Sequence, residues 1–191
     1  MVPRGTARSS LLASAVDLIA AHGVNAVGVD AIADRAGTTK RTLYQHFASK
    51  DALVAEALSA NSTTWHERVS AAVAARAEDP EGQLLALFDL IGEDAARPAY
   101  RGCVFVNAAA DLPDPAHPAR PVASRHKQRL LDFLTERTSR LGVRDPQRLA
   151  RQIKVLLEGV VATALVDPGP QPAQDARAAA EILIMTEKGA S

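Results

Sequence analysis

The sequence predicts an all-α protein of about nine helices, three short ones followed by longer ones. Three observations carry that prediction. Apolar residues make up 47% of the 191-residue chain, but aromatics only 4%. Ala, Leu and Val must therefore fill the core, which suits packed helices better than strands rich in aromatic and β-branched residues. Apolar residues also recur at helical spacing along most of the chain, and Gly or Pro stands at the breaks. No alternating β pattern, repeat or low-complexity tract competes.

The elements follow in order. Met1 to Ala7 is expected as a loose arm. Arg8 to His22 reads as the first helix, with Leu11, Ala15, Leu18, Ile19 and His22 at helical spacing and Gly23 as its stop. Val29 to Ala36 is a short second helix with Ile32 and Ala33 inward. Gly37 breaks it where a left-handed turn residue belongs. Thr38 or Thr39 caps a third helix that runs to about Phe47. Ser49 is the N-cap of a long fourth helix from Lys50 to about Ala77.

Pro80 to Asp94 is the fifth, with Leu84, Leu87, Phe88 and Ile91 on one stripe. Cys103 to Leu112 is a short, nearly uncharged helix. The following Pro113-Asp114-Pro115-Ala116-His117-Pro118 cannot continue it, because each Pro removes a donor and clashes with the preceding turn. Ala119 to Leu141 is amphipathic, with Leu130, Phe133, Leu134 and Leu141 inside. Pro146 to Val166 and Ala173 to Lys188 complete the set, divided by a Pro/Gly turn.

Net charge is zero, but its distribution is uneven. Residues 1–50 hold six Lys or Arg against three acids, and the remainder holds sixteen against nineteen. From Arg35 to Lys50 there are four basic residues and no acid. This pattern suggests a small domain with a local basic surface, residues 1–48, joined to a larger, slightly acidic one, residues 49–191. Cys103 is the single cysteine, so no intramolecular disulfide can form. Neither a signal-peptide layout nor an apolar run of membrane length is present, so the expected location is the cytoplasm, with no membrane partner.

Two short helices joined by a Gly-containing turn, the second polar and basic, make a helix-turn-helix. In the stretch Thr38 to Phe47, Leu43 and Phe47 lie four residues apart and can anchor the helix. Lys40, Arg41, Thr42, Tyr44, Gln45 and His46 are then left to face outward. Arg and Gln can read base edges bidentately, while hydroxyls and Lys50 suit phosphates. Periodicity alone describes a solvated polar helix equally well.

The literal residues narrow the choice. The stretch from Ala33 to Leu53, with Ile32 before it, closely resembles the DNA-binding signature of the TetR (tetracycline-repressor) family. The shared core is Ile32-Ala33, Ala36-Gly37, Thr42-Leu43-Tyr44, His46-Phe47, Ser49-Lys50 and Leu53, within a match from about Ser9 to Leu58. The resemblance implies phosphate contacts from Tyr44, His46 and Lys50, and base reading by Lys40, Arg41, Thr42 and Gln45. With the capping Thr39, these are the DNA-binding candidates. The family commonly has Ser or Thr where this chain has Gly28, so a phosphate contact there is not implied.

The same resemblance implies a homodimeric repressor on a palindromic operator in double-stranded DNA, released by a small-molecule effector. The last two long helices are the natural dimer elements. Leu156, Val160, Val161 and Ala164 lie on the apolar face of one, and Ala179 and Leu183 on the small-residue face of the other. Both faces serve a monomer's own core equally well. Effector-pocket candidates are Trp65, Phe88, Cys103, Phe105, Asn107, His126 and Phe133, each of which is also an ordinary core residue. Cys103 beside Arg101 is a candidate redox or electrophile sensor, although a cysteine beside Val104 and Phe105 reads first as a small buried apolar residue. His66, His117 and His126 lack metal-ligand spacing. No nucleophile-base-acid set or phosphate loop is present, so neither an enzyme nor a cofactor is expected.

Overall fold

A computed structural model describes residues 4–189, with side chains from residue 7 onward. The described residues form nine helices and no strand. They are α1 (Arg4–His22), α2 (Val29–Arg35), α3 (Lys40–His46), α4 (Lys50–Arg76), α5 (Pro80–Ala95), α6 (Val104–Asp111), α7 (Ala119–Thr138), α8 (Pro146–Val166) and α9 (Gln171–Gly189). The all-α expectation holds.

The differences in detail are at the ends. Helix α1 begins at Arg4, so Arg4 to Ala7 is helical rather than a loose arm, and Ala7 is already buried. The rest of the expected arm, Met1 to Pro3, lies outside the described residues. Helix α7 stops at Thr138 rather than Leu141. The hydroxyl of Thr138, fully buried, donates to the carbonyls of Thr135 and Pro146, which ties the helix end to the start of α8. Gly142 in the left-handed region then turns the chain.

Packing divides the chain into two compact units. The first comprises Met1–Thr64 and Cys103–His126, and the second Trp65–Gly102 and Lys127–Ser191. The boundary expected after residue 48 therefore falls inside the first unit. Its core joins Leu11, Ala15 and Ile19 of α1, Ile32 of α2, Leu43 of α3 and Phe47 to Leu53, Val54, Ala57 and Leu58 of α4. Phe105, Ala108, Ala119, Val122 and Ala123 from α6 and α7 belong to the same cluster. The second unit has its own core, built on Val73, Leu84, Leu87, Phe88, Leu134, Leu149, Ile153, Leu157 and Ile184. There α9 packs along both α5 and α8.

The turn between α2 and α3 depends on Gly37, at φ +64°. The amide of Gly37 donates to the Asp34 carbonyl, and that of Thr38 to the Ala33 carbonyl, so the helix end is satisfied. A Cβ at Gly37 would meet nothing within 4 Å. The cost of a side chain there is therefore one of backbone conformation alone. Gly37→Ala should destabilise the chain by about 1 kcal/mol, and Gly37→Asn by less, because Asn visits the left-handed region more readily. The midpoint of urea unfolding checks both.

Candidate nucleic-acid interface

Helices α2 and α3 are held together by apolar anchors. Ile32, Ala33, Leu43 and Phe47 are all buried in the first unit. Leu43 lies on the buried side of α3 and Phe47, its extended C-cap residue, is buried just beyond it, so the side of α3 opposite Leu43 faces outward. On that side Lys40, Arg41, Tyr44 and Gln45 are exposed, with Tyr44 47% exposed despite its ring. Thr42, His46 and Lys50 are half-buried.

The hydrogen bonds sort these candidates further. Thr39, in extended conformation, is the N-cap of α3, and its hydroxyl oxygen accepts from the Thr42 amide at 3.2 Å. The two threonine hydroxyls also bond each other at 3.0 Å. Lys40 pairs with Asp30 of α2 at 3.1 Å, and Arg35 with Asp17 at 2.9 Å. The Lys50 ammonium donates to the carbonyl of Val24 at 3.2 Å. The His46 ring meets Phe47 edge-on. Among the described residues, Arg41, Tyr44 and Gln45 alone of the eight candidates make no side-chain hydrogen bond, ion pair or ring contact. They lie three and four residues apart on one helical face. A guanidinium, a phenol and an amide side by side can donate to phosphates and read base edges.

The effector candidates divide between the two units. Cys103, Phe105, Asn107 and His126 belong to the first unit, and Trp65, Phe88 and Phe133 to the second. In the first unit Phe105 stacks on the buried His126 ring at 3.6 Å, and Ser62 hydrogen-bonds its Nδ1 at 3.0 Å. Cys103 is half-buried at the N-cap of α6. In the second, Phe88 is fully buried core. Phe133 lines an open groove of about 730 Å³ between α4 and α7, together with His66, Glu67, Arg129, Asp132 and Glu136. The Arg137 guanidinium covers the same ring at 3.4 Å, and burial pushes its pKa down.

The dimer candidates also split. Val160 and Ala164 are buried within the second unit, while Leu156, Val161, Ala179 and Leu183 are partly covered. The open apolar surface lies beside them. Val155, Leu165 and Val166 of α8 and Ile182 and Met185 of α9 are each at least half exposed.

Comparison with known proteins agrees with this architecture. Residues 11–57 match the family model of bacterial regulatory proteins of the tetR family, and residues 106–186 match the tetracyclin repressor-like C-terminal domain. A TetR-family transcriptional regulator from Streptomyces coelicolor shares 31% identity, covers 96% of this chain and 97% of its own, and superimposes with a TM-score of 0.86. The chain belongs to the TetR family. A regulator from Streptomyces avermitilis described as tetr-transcriptional gives 32% identity, coverage of 92% and 98%, and a TM-score of 0.78. The HTH-type transcriptional regulator YjdC of Escherichia coli is 27% identical over 180 residues, 93% of each chain. The HTH-type transcriptional activator FasR of Mycolicibacterium smegmatis is 49% identical over 49 residues, 26% of this chain and 22% of its own. This TetR-family chain is thus a transcriptional regulator with a DNA-binding helix-turn-helix and a ligand-binding type of C-terminal part. Among the described residues, no helix is long and apolar enough to cross a membrane.

Sequence reasoning missed the Lys40–Asp30 pair and the Lys50 bond to Val24. Both join residues on different elements, and spacing within one helix carries no signal for either. The capping role of Thr39 is directly testable. Thr39→Ala should cost about 1 kcal/mol of stability, and Thr39→Ser should retain most of it. Thermal unfolding monitored by circular dichroism checks the difference.

Proposed function

We propose that this chain is a homodimeric repressor that reads a palindromic operator through α3 and leaves it when a small molecule binds the larger helical part. The observation that carries the reading is the free, exposed set Arg41, Tyr44 and Gln45, aimed away from the buried Leu43 and Phe47. Residues 1–48 supply the DNA-reading surface and residues 49–191 effector binding and dimerisation. Arg41 and Gln45 read base edges, with Lys40 and Thr42 beside them, and Tyr44, His46 and Lys50 hold phosphates. The groove beside Phe133 in the second unit supplies a surface for an effector.

Two arms of one experiment separate the roles. The probe is a duplex enriched from a random-sequence pool by the wild-type chain. Tyr44→Ala should weaken binding to all duplexes alike and leave the salt dependence unchanged, because a neutral phenol contacts phosphate without sequence information and without releasing a counterion. Arg41→Ala and Gln45→Ala should instead lose about 1–3 kcal/mol on the selected duplex and little on scrambled DNA. Wild-type affinity from all three would sink the assignment. Transcription in vitro from a promoter carrying the duplex gives the sign of regulation. A fall in transcript supports a repressor. A rise matches the activator FasR, which is 49% identical over 49 residues.

The dimer reading rests on the exposed stripes of α8 and α9. An interface of ordinary size needs apolar anchors that are uncovered in the monomer, and Val155, Val166, Ile182 and Met185 meet that need. Ile182→Glu should yield a helical monomer by sedimentation velocity, with operator affinity falling because half-sites are no longer linked. A dimer that survives this change places the interface elsewhere.

A further inference from the structure

Asp111, the last residue of α6, grips the turn that precedes the helix-turn-helix. Its carboxylate Oδ2 accepts from the Val24 amide at 3.0 Å, and its own carbonyl accepts from the Asn25 side-chain amide at 2.9 Å. These partners lie 87 and 86 residues away in sequence. The Val24 carbonyl in turn accepts from Lys50 of α4. Both polar groups of one peptide segment are therefore held by charged side chains from other helices, while the Val24 side chain is buried.

The neighbouring residue confirms that the space is committed. Gly23 sits at φ +82°, and a Cβ there would lie 2.9 Å from Asp111 Oδ2. The carboxylate occupies the volume that a side chain would need. The end of α6 is itself braced. Arg120 donates to the carbonyls of Ala109 and Leu112 at 2.5 and 3.3 Å. His117 Nδ1 accepts from the Ala119 amide, and its Nε2 faces Asp51 of α4 at 3.3 Å. All of these residues belong to the first unit.

We infer that Asp111 is a positioning residue for DNA binding. It fixes the α1–α2 turn, and that turn sets the entry of α2, on which α3 packs. A carboxylate accepting from a backbone amide is a strong, oriented bond, so a displacement of α6 becomes a displacement of the turn. This inference rests on the DNA-reading surface proposed above. It assigns a role to a residue outside the helix-turn-helix and outside every DNA-contact candidate.

The test uses the full chain and the enriched duplex. Asp111→Ala leaves the amide of a buried residue without its acceptor. Operator affinity should fall by about tenfold or more, with an unchanged slope against salt, because the phosphate contacts stay the same in number. Asp111→Asn keeps a neutral acceptor and should fall between the two. Amide hydrogen exchange should accelerate at Val24 in Asp111→Ala and stay unchanged at Leu43. Val122→Ala, a core truncation in α7 of the same unit, is the stability control and should keep near wild-type affinity. Wild-type affinity from Asp111→Ala overturns the inference, and so does an equal loss from Val122→Ala. If the wild-type chain itself enriches no duplex, the DNA-reading proposal fails and this inference with it, and that outcome is distinct because no variant is involved.

Discussion

Burial of Leu43 and Phe47 is the constraint on which the DNA-facing surface depends. The two side chains are 0% and 2% exposed; Leu43 pins one side of a seven-residue helix and Phe47, its C-cap residue, pins its end. A helix this short has little stability of its own, since nucleation is costly and few intrahelical bonds form. Its orientation therefore comes from tertiary packing. Once Leu43 and Phe47 are inside, the helical period sends Arg41, Tyr44 and Gln45 outward. The Thr39 cap and the Gly37 turn fix where α3 starts, so they set the register of that outward face. Everything proposed for DNA reading follows from this one pair of anchors.

The charges around that face are arranged rather than simply abundant. The sequence has an acid-free basic run from Arg35 to Lys50. In the folded chain Lys40 and Arg35 are already paired with Asp30 and Asp17, and Lys50 is bonded to a carbonyl. The two ion pairs have side chains more than half exposed. Exposed pairs of this kind contribute about 0–1 kcal/mol, so an approaching phosphate can replace the carboxylate at small cost. Lys50 differs, because its partner is backbone and its position is half-buried. An ammonium has three donors, so it can hold Val24 and still offer hydrogens outward. Asp30 therefore competes for Lys40 with any phosphate that approaches it.

Helix positions were legible in the sequence because period and punctuation agree. Gly23, Gly37, Pro80, Pro146 and the capping Thr39 mark ends that the structure places within a few residues of expectation. The anchors of α3 were legible for the same reason. Two things were not. The end of α7 depends on Thr138 bonding to Pro146, a contact across a turn that leaves no periodic trace. The membership of α6 in the first unit depends on Phe105 and Ala108 joining the core of α1 to α4. Chain order places α6 after α5, so a division drawn along the sequence assigns it to the larger part. Only packing reveals that it belongs with the DNA-reading helices.

The apolar faces of α8 and α9 show the same limit at finer grain. Each residue advances about 100° around a helix, so neighbours in sequence point to different sides. Apolar residues at Val155, Leu156, Val160, Val161, Ala164 and Val166 cover much of the circumference of α8. Apolar residues on more than one side of a helix have two possible burial partners, and the sequence cannot divide them. In the fold, Val160 and Ala164 take the inner side, against the core that includes Leu157 and Ile184. Val155 and Val166 are left 70% and 86% exposed, and Ile182 and Met185 of α9 stand open as well. Apolar area in excess of what one core can bury is what a partner helix requires. Among the described residues, five of the seven exposed large hydrophobic side chains stand on α8 and α9, which pack on each other, so a single partner surface can cover both stripes at once.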